Sequence, residues 1–319
     1  MSELLTQAQT DFAQAVIAGL SQRQKVIPAR FFYDKRGSEL FEAITRLPEY
    51  YLTRTETALL AEHAADIGAL AGEGRVVVEF GSGSSAKTPL LLDAVRPPVY
   101  IPVDISADYL AAAARATAQA HPGMKVAPVA GDFTLPVYLG AVAGDAPRLG
   151  FFPGSTIGNF GPGGAVDLLR SFATTLGPGA LLVIGVDPRK DPAIIRAAQD
   201  DSEGLTAQFN LNLLHRINRE LDGTIPVDRF EHRASWDDSR GRLELHLVAR
   251  EDVAFAVAGR RFAMRAGETI HTENSYKYRP EEAQLLARAA GWEPLVAWSD
   301  PQGLYTLHVW SAGEEKIRP

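Results

Sequence analysis

"RVVVEFGSGSSAKTPLLLDAV", residues 75–95, decides how the rest of the chain is read. Its first six residues are a β-rich apolar run with little alternation, the pattern of a strand buried on both faces. Glycines follow at 81 and 83, where the backbone can turn sharply and approach a ligand closely. From Ala86 onward the pattern is helical. A dinucleotide fingerprint would place a third glycine where Ala86 stands, and a P-loop would have glycine immediately before Lys87. The loop is built for neither pyrophosphate nor triphosphate. Taken alone, Gly-x-Gly fits an ordinary turn equally well.

The same rhythm continues outward. "VYIPVD" (99–104), "KVAPVAGDF" (125–133), "LGFFPGST" (149–156) and "ALLVIGVD" (180–187) read as strands, with helices over 107–120 and 165–176. Alternation of this kind predicts a parallel, doubly wound sheet. After Asp187 the rhythm breaks into a polar helical stretch. Two hairpin-like runs follow, "RASWDDSRGRLELHLVAR" (233–250) and "VAFAVAGRRFAMRAGETIHTENS" (253–275), with turns at Asp-Asp-Ser-Arg-Gly and Ala-Gly. The α/β rhythm returns with a helix over 279–291 and two strands, 293–300 and 304–310, whose short connection requires them to be antiparallel. The expectation is an α/β fold of five parallel strands closed by an antiparallel pair. Residues 1–190 form its main domain, with a helical N-terminal segment; 191–275 are an inserted α+β subdomain placed to act as a lid; 276–319 return to the main domain.

Composition narrows the function. The chain has 319 residues, 46% of them hydrophobic, enough for a substantial core. Thirty-two basic against 39 acidic residues, with no dense Lys/Arg run, weigh against a nucleic-acid or anionic-membrane partner. No apolar segment approaches the ~20 residues of a membrane span, and Met1 to Gln7 lack the pattern of a signal peptide. The absence of cysteine removes disulfides, thiolate metal sites and cysteine nucleophiles, and suits a cytoplasmic protein. Seven histidines in no HxH or HExxH arrangement give a metal site little support.

In an open parallel sheet, ligands bind beyond the carboxyl ends of the strands. The conspicuous polar clusters all fall there: Glu79-Phe80-Gly81, Asp104, Asp132-Phe133, and Gly154 through Asn159. A carboxylate at Asp104 is placed to accept both ribose hydroxyls, although an aspartate there also suits a helix cap. Asp132 is placed to receive an adenine amino group, with Phe133 beside the ring. Acid-x-Gly-x-Gly, these two later aspartates and the terminal antiparallel pair together fit an S-adenosylmethionine methyltransferase better than an NAD enzyme.

"FFYDKRGSELFEAITRLPEYYLTRTE" (31–56), "EFGSGSSAKT" (79–88), "GSTIGNF" (154–160) and "TENSYKY" (272–278) carry a more specific likeness. Over nearly its whole length the chain resembles the histidine-specific Nα-methyltransferases, which make hercynine for ergothioneine biosynthesis. The resemblance implies a class I, Rossmann-like, seven-stranded S-adenosylmethionine methyltransferase fold with the insert as substrate-recognition subdomain. It implies three methyl transfers to the α-amine of L-histidine. It places Tyr33, Gly81, Lys87, Asp104, Asp132 and Phe133 at the cofactor, and Tyr50, Asn159, Glu273 and Ser275 at histidine. Asn159 would hold the carboxylate, Glu273 and Ser275 the imidazole, and Tyr50 would lie near the amine as the second catalytic contact with Asn159. Gln199 stands where the best-known members have a carboxylate-gripping tyrosine, and Leu245 where a methionine often lines the pocket. The leucine is a mild change of shape. The glutamine is shorter but keeps a donor, which points to weaker histidine binding or a shifted amino-acid preference. Without the resemblance, Lys87 reads as a surface lysine or a partner of Glu79, Tyr50 as packing, Asn159 as a turn residue and Glu273 as a solvent-facing acid. The alternatives are an Nα-methyltransferase for tryptophan or tyrosine, and a non-catalytic small-molecule-binding protein.

Overall fold

The computed structural model describes residues 7–83, 87–105 and 107–313. Ala86, the position of the missing third glycine, and the first six residues of the segment searched for a signal peptide lie outside them. The chain divides into two compact units, a first made of Met1–Tyr51 with Lys190–Tyr276 and a second of Leu52–Arg189 with Lys277–Pro319. The first unit opens with α1 (Gln7–Leu20), β1 (Lys25–Val26) and α2 (Lys35–Ile44). The second unit then runs α3 (Tyr51–Glu62), α4 (Ala64–Ala71), β2 (Val76–Phe80), α5 (Thr88–Val95), β3 (Val99–Asp104), α6 (Ala107–Ala120), β4 (Lys125–Val126), β5 (Val129–Ala130), β6 (Arg148–Phe152), α7 (Pro162–Leu176) and β7 (Leu181–Val186). The first resumes with α8 (Pro192–Ala197), α9 (Leu205–Glu220), β8 (Phe230–Asp237), β9 (Arg242–Ala249), β10 (Val253–Val257), β11 (Arg260–Met264) and β12 (Thr269–Tyr276). Helix α10 (Pro280–Ala289) and strands β13 (Trp292–Ser299) and β14 (Thr306–Ala312) complete the second.

The second unit holds the expected sheet, in the order β13-β14-β7-β6-β2-β3-β4, with β5 also on β3. Strands β2 to β7 run parallel, and β14 is antiparallel to both β7 and β13. Its centre is dry because every residue of β2 and of β7 is buried, as unbroken apolar runs require. Phe80 stacks on Phe172 of α7 at 3.9 Å, clamping the glycine-turn end of β2 to a helix. Burial of each such side chain stabilises the fold by about 1.5–3 kcal/mol. One strand departs from expectation: 125–133 forms two short ladders, β4 and β5, separated by Ala127 and Pro128. Proline offers no N–H to a ladder, and this strand lies at the sheet edge, where the interruption costs least.

His308 is fully buried in β14, and burial pushes its imidazole pKa down to about 4. The folded state therefore holds a neutral ring that the unfolded chain protonates below about pH 6.5. Stability is lost as pH falls from about 6.5 to about 4, by up to ~3 kcal/mol, and the loss levels off below that. A His308→Leu variant should show a flatter urea-midpoint profile across this range. An unchanged slope would contradict the assignment.

In the first unit one sheet runs β1-β12-β9-β8, and β10 and β11 form a separate hairpin. Strand β1 pairs parallel with β12 through Lys25↔Ile270 and Val26↔His271. The N-terminal segment was expected with residues up to 190; it instead joins the inserted segment. The pairing is two residues long and closes over more than two hundred, so no local periodicity signals it.

Candidate active site

At the carboxyl end of β2, Gly81 and Gly83 take φ values of 73° and 32°. A Cβ on Gly81 would stand 3.3 Å from Cε1 of Phe133, so a side chain there would crowd that ring. The Gly81 N–H donates to Val103 O at 2.8 Å, and the Gly83 N–H donates to Asp104 Oδ2 at 3.3 Å. The loop is thus tied to the end of β3. Asp132 uses Oδ1 to accept from the Thr134 N–H (2.9 Å) and hydroxyl (2.6 Å), an Asx-type turn, while Oδ2 has no partner among the described residues. Phe133 is held edge-on to Phe152 at 5.6 Å. Gly81, Asp104, Asp132 and Phe133 therefore converge on neighbouring strand ends.

Two buried carboxylates organise this end of the sheet. Glu79 accepts from the Thr88 hydroxyl (3.0 and 2.8 Å) and from the Tyr100 hydroxyl (2.5 Å), which fastens the start of α5 to β2 and β3. Lys87 does not pair with Glu79; its ammonium meets Glu56 of α3. Glu56 is fully buried, and both its oxygens also accept from the Gly154 N–H, at 3.0 and 2.9 Å. A Cβ at Gly185 would overlap Glu56 Oε1 at 2.0 Å, so β7 admits this carboxylate only because residue 185 is glycine.

Gly154 begins the turn that ends in Asn159. Ser155 takes a left-handed φ of 57°, and its hydroxyl accepts from the Asp187 N–H at 2.9 Å. The Tyr278 hydroxyl donates to Phe160 O at 2.8 Å. Asp187 and Lys277 form a buried ion pair at 2.5 Å beside them. With its loop held at both ends, Asn159 closes a short 3₁₀ turn, half-buried, its side chain making no hydrogen bond among the described residues.

In the first unit a single irregularity places the acid. Strand β12 follows β9 in register through Ile270↔Leu247 and His271↔His246, then slips, and resumes at Glu273↔Leu245 and Ser275↔Leu243. Thr272 is the extra residue; it is buried, and its hydroxyl donates to Leu245 O at 3.0 Å. Side chains alternate faces along a strand, so without the bulge Glu273 would face the side of Glu244 and His246. With it, Glu273 and Ser275 share a face with Leu243, Leu245 and Ile270. Ile195 of α8 packs on Leu243 and Leu245 over that face. Leu245 is accordingly core-like, 1% exposed, whereas Glu273 is half-buried.

Gln199 follows α8, and its carbonyl accepts from His232 Nε2 of β8 at 2.9 Å. Burial lowers the His232 pKa, against the opposing pull of the Gln199 carbonyl. Ser202, three residues on, donates its hydroxyl to Glu49 Oε1 at 2.7 Å, linking the Gln199 segment to the residue before Tyr50. Tyr50 is buried edge-on to Phe41 (6.1 Å), and Phe41 meets Tyr33 at 5.6 Å; Phe209 touches both Tyr33 and Phe41. Tyr33 and Tyr50 thus belong to one aromatic cluster, with Tyr33 44% exposed. Sequence reading missed Glu56, Thr272, His232, Phe41 and Phe209. The first and the last two stand in helices where a core role and a site role leave the same pattern.

Among the described residues, no helix is long and apolar enough to cross a membrane, and no three His, Cys, Asp or Glu side chains are grouped to hold a metal ion.

A family model described as histidine-specific methyltransferase, SAM-dependent, matches residues 12–312. A histidine N-alpha-methyltransferase of Mycolicibacterium smegmatis is 42% identical over 300 residues, 92% of either chain. Ergothioneine biosynthesis protein 1 of Neurospora crassa is 31% identical over 88% of this chain and 33% of its own length. Among solved structures, an S-adenosylmethionine-dependent methyltransferase from Clostridium acetobutylicum shares the fold, with a TM-score of 0.50 over 86% of this chain and 98% of that one, at 9% identity. The chain belongs to the histidine-specific, S-adenosylmethionine-dependent methyltransferase family.

Proposed function

We propose that this chain methylates the α-amine of L-histidine three times at the expense of S-adenosylmethionine, giving hercynine, the first step of ergothioneine biosynthesis. The observation that carries the substrate is the β12 bulge at Thr272, which turns Glu273 and Ser275 onto the face of Leu245. A carboxylate there can accept an imidazole N–H in a charge-assisted hydrogen bond that an aliphatic or phenyl side chain cannot make.

The cofactor's residues fit their ligand. The Phe133 ring beside Gly81 could stack on a flat base. Asp104 at the end of β3 would accept the ribose hydroxyls and Asp132 Oδ2 the adenine amino group; Tyr33, in the first unit, is the further residue proposed for the cofactor. Lys87 would meet the methionyl carboxylate while Glu56 holds its ammonium in place. When bound, the cofactor supplies a methyl group on a sulfonium centre.

The chain's own contribution is orientation. The amine must present a neutral lone pair in line with the methyl carbon, and fixing that geometry is worth several orders of magnitude in rate. Asn159 and Gln199 are the residues proposed for the carboxylate and Glu273 with Ser275 those for the ring, and holding both ends of the substrate restricts the amine. Tyr50 would offer its hydroxyl to the amine, a single contact that yields as methyl groups replace protons.

A second reading rests on Gln199, where the shorter amide replaces a tyrosine: an Nα-methyltransferase for tryptophan or tyrosine. Steady-state kcat/KM over the twenty amino acids separates the two. Histidine should exceed the next best by at least about 100-fold, the fold-change that one charge-assisted hydrogen bond supplies. Tryptophan or tyrosine in first place would favour the second reading. No turnover and no cofactor binding would instead point to a binding protein.

A further inference from the structure

We propose that His232 is a positioning residue for substrate binding, acting through Gln199. The inference rests on the reading that Gln199 contacts the histidine carboxylate.

Gln199 lies just past the last turn of α8, where carbonyls have no partner within the helix and must find one elsewhere. Its carbonyl finds His232 Nε2 at 2.9 Å. The other ring nitrogen, Nδ1, meets Asn210 Nδ2 at 2.9 Å, and the same amide nitrogen reaches His246 O at 3.3 Å. These partners leave one consistent set of protons. A backbone carbonyl only accepts, so the Asn210 nitrogen is the donor to His246 O, and Nδ1 of His232 must accept from it. Nε2 therefore carries the hydrogen and donates to Gln199. Asn210 is fully buried in α9, and His232 stands on β8, two residues from Ala234, which packs against the Leu243–Leu245 cluster under Ile195 of α8.

The chain β9–Asn210–His232–Gln199 thus pins the half-buried Gln199 from three regular elements. A glutamine side chain has three rotatable bonds, and His232 fixes the backbone that carries it. Fixing the glutamine backbone reduces the conformations its amide must lose on gripping a carboxylate.

The test is a double-mutant cycle read in histidine KM, cofactor Kd and kcat. His232→Phe removes the donor at similar bulk; it should raise histidine KM about five- to tenfold, the worth of one hydrogen bond, and leave cofactor Kd unchanged. His232→Gln can place an amide N–H near the Nε2 position and should recover most of the KM. Gln199→Ala should raise KM similarly, and His232→Phe should then add nothing. A merely structural histidine would lower the melting temperature and the active fraction of both His232 variants without moving KM. That result, or full additivity with Gln199→Ala, overturns the proposal. Wild-type KM in Gln199→Ala would instead remove the reading on which it stands, and the proposal with it.

Discussion

Replacing Glu273 by alanine is expected to raise histidine KM by about 100-fold while changing cofactor affinity by no more than about twofold. Hydrogen bonds to an ionised group contribute about 1.5–3 kcal/mol, and each ~1.4 kcal/mol is a factor of ten. The specificity of the effect follows from placement. Glu273 is in the first unit, on the α8-covered face of β12, while Gly81, Asp104, Asp132 and Phe133 belong to strand ends of the second. Glu273→Gln, which keeps an acceptor without its charge, should fall between wild type and alanine. Titration calorimetry with histidine and, separately, with S-adenosylhomocysteine reads both arms. Equal losses in the two would contradict the role given to this carboxylate.

Glu56→Ala should have the largest effect on stability. The substitution leaves the Lys87 ammonium, 14% exposed, without its anion, and removes the acceptor of the Gly154 N–H. Breaking a buried pair from one side costs about 3–5 kcal/mol, most of it the penalty of the stranded charge. In a protein of this size that is a fall in Tm of roughly 4–8 °C. Glu56→Gln combined with Lys87→Met removes both charges and should recover much of the loss. It should not recover cofactor affinity if Lys87 meets the methionyl carboxylate. A Tm for Glu56→Ala within about 2 °C of wild type would show that this pair does not hold the loop that carries Asn159.

The parts legible from sequence were those written in local patterns. Dry strands such as "VVVEF" and "LLVIGV" announce themselves by unbroken apolar runs, and a short connection forces β13 and β14 to be antiparallel. Once the strands are placed, Asp104, Asp132 and Asn159 fall at their carboxyl ends or just beyond. Pairings distant in sequence left no such trace. Nothing near Lys87 says that its partner is Glu56, thirty-one residues earlier and on a helix. Nothing in "TIHTENSY" marks Thr272 as the supernumerary residue, since a strict two-residue period would have turned Glu273 to the other face. The family resemblance supplied Glu273, and the bulge sets the face it takes, that of Leu243 and Leu245. The β4–β5 break was the converse case: Pro128 was visible in "KVAPVAGDF", and its missing N–H was the signal.

The central claim is regiochemical, that methyl groups go to the α-nitrogen and that three are added. Histidine incubated with enzyme and excess S-adenosylmethionine, followed by tandem mass spectrometry of the product, tests it most directly. The account predicts a single final species carrying three methyl groups, which fragments by losing trimethylamine and leaves the imidazole unmodified. A methyl group retained on the imidazole fragment, or accumulation that stops at one or two methyl groups under excess cofactor, would contradict it.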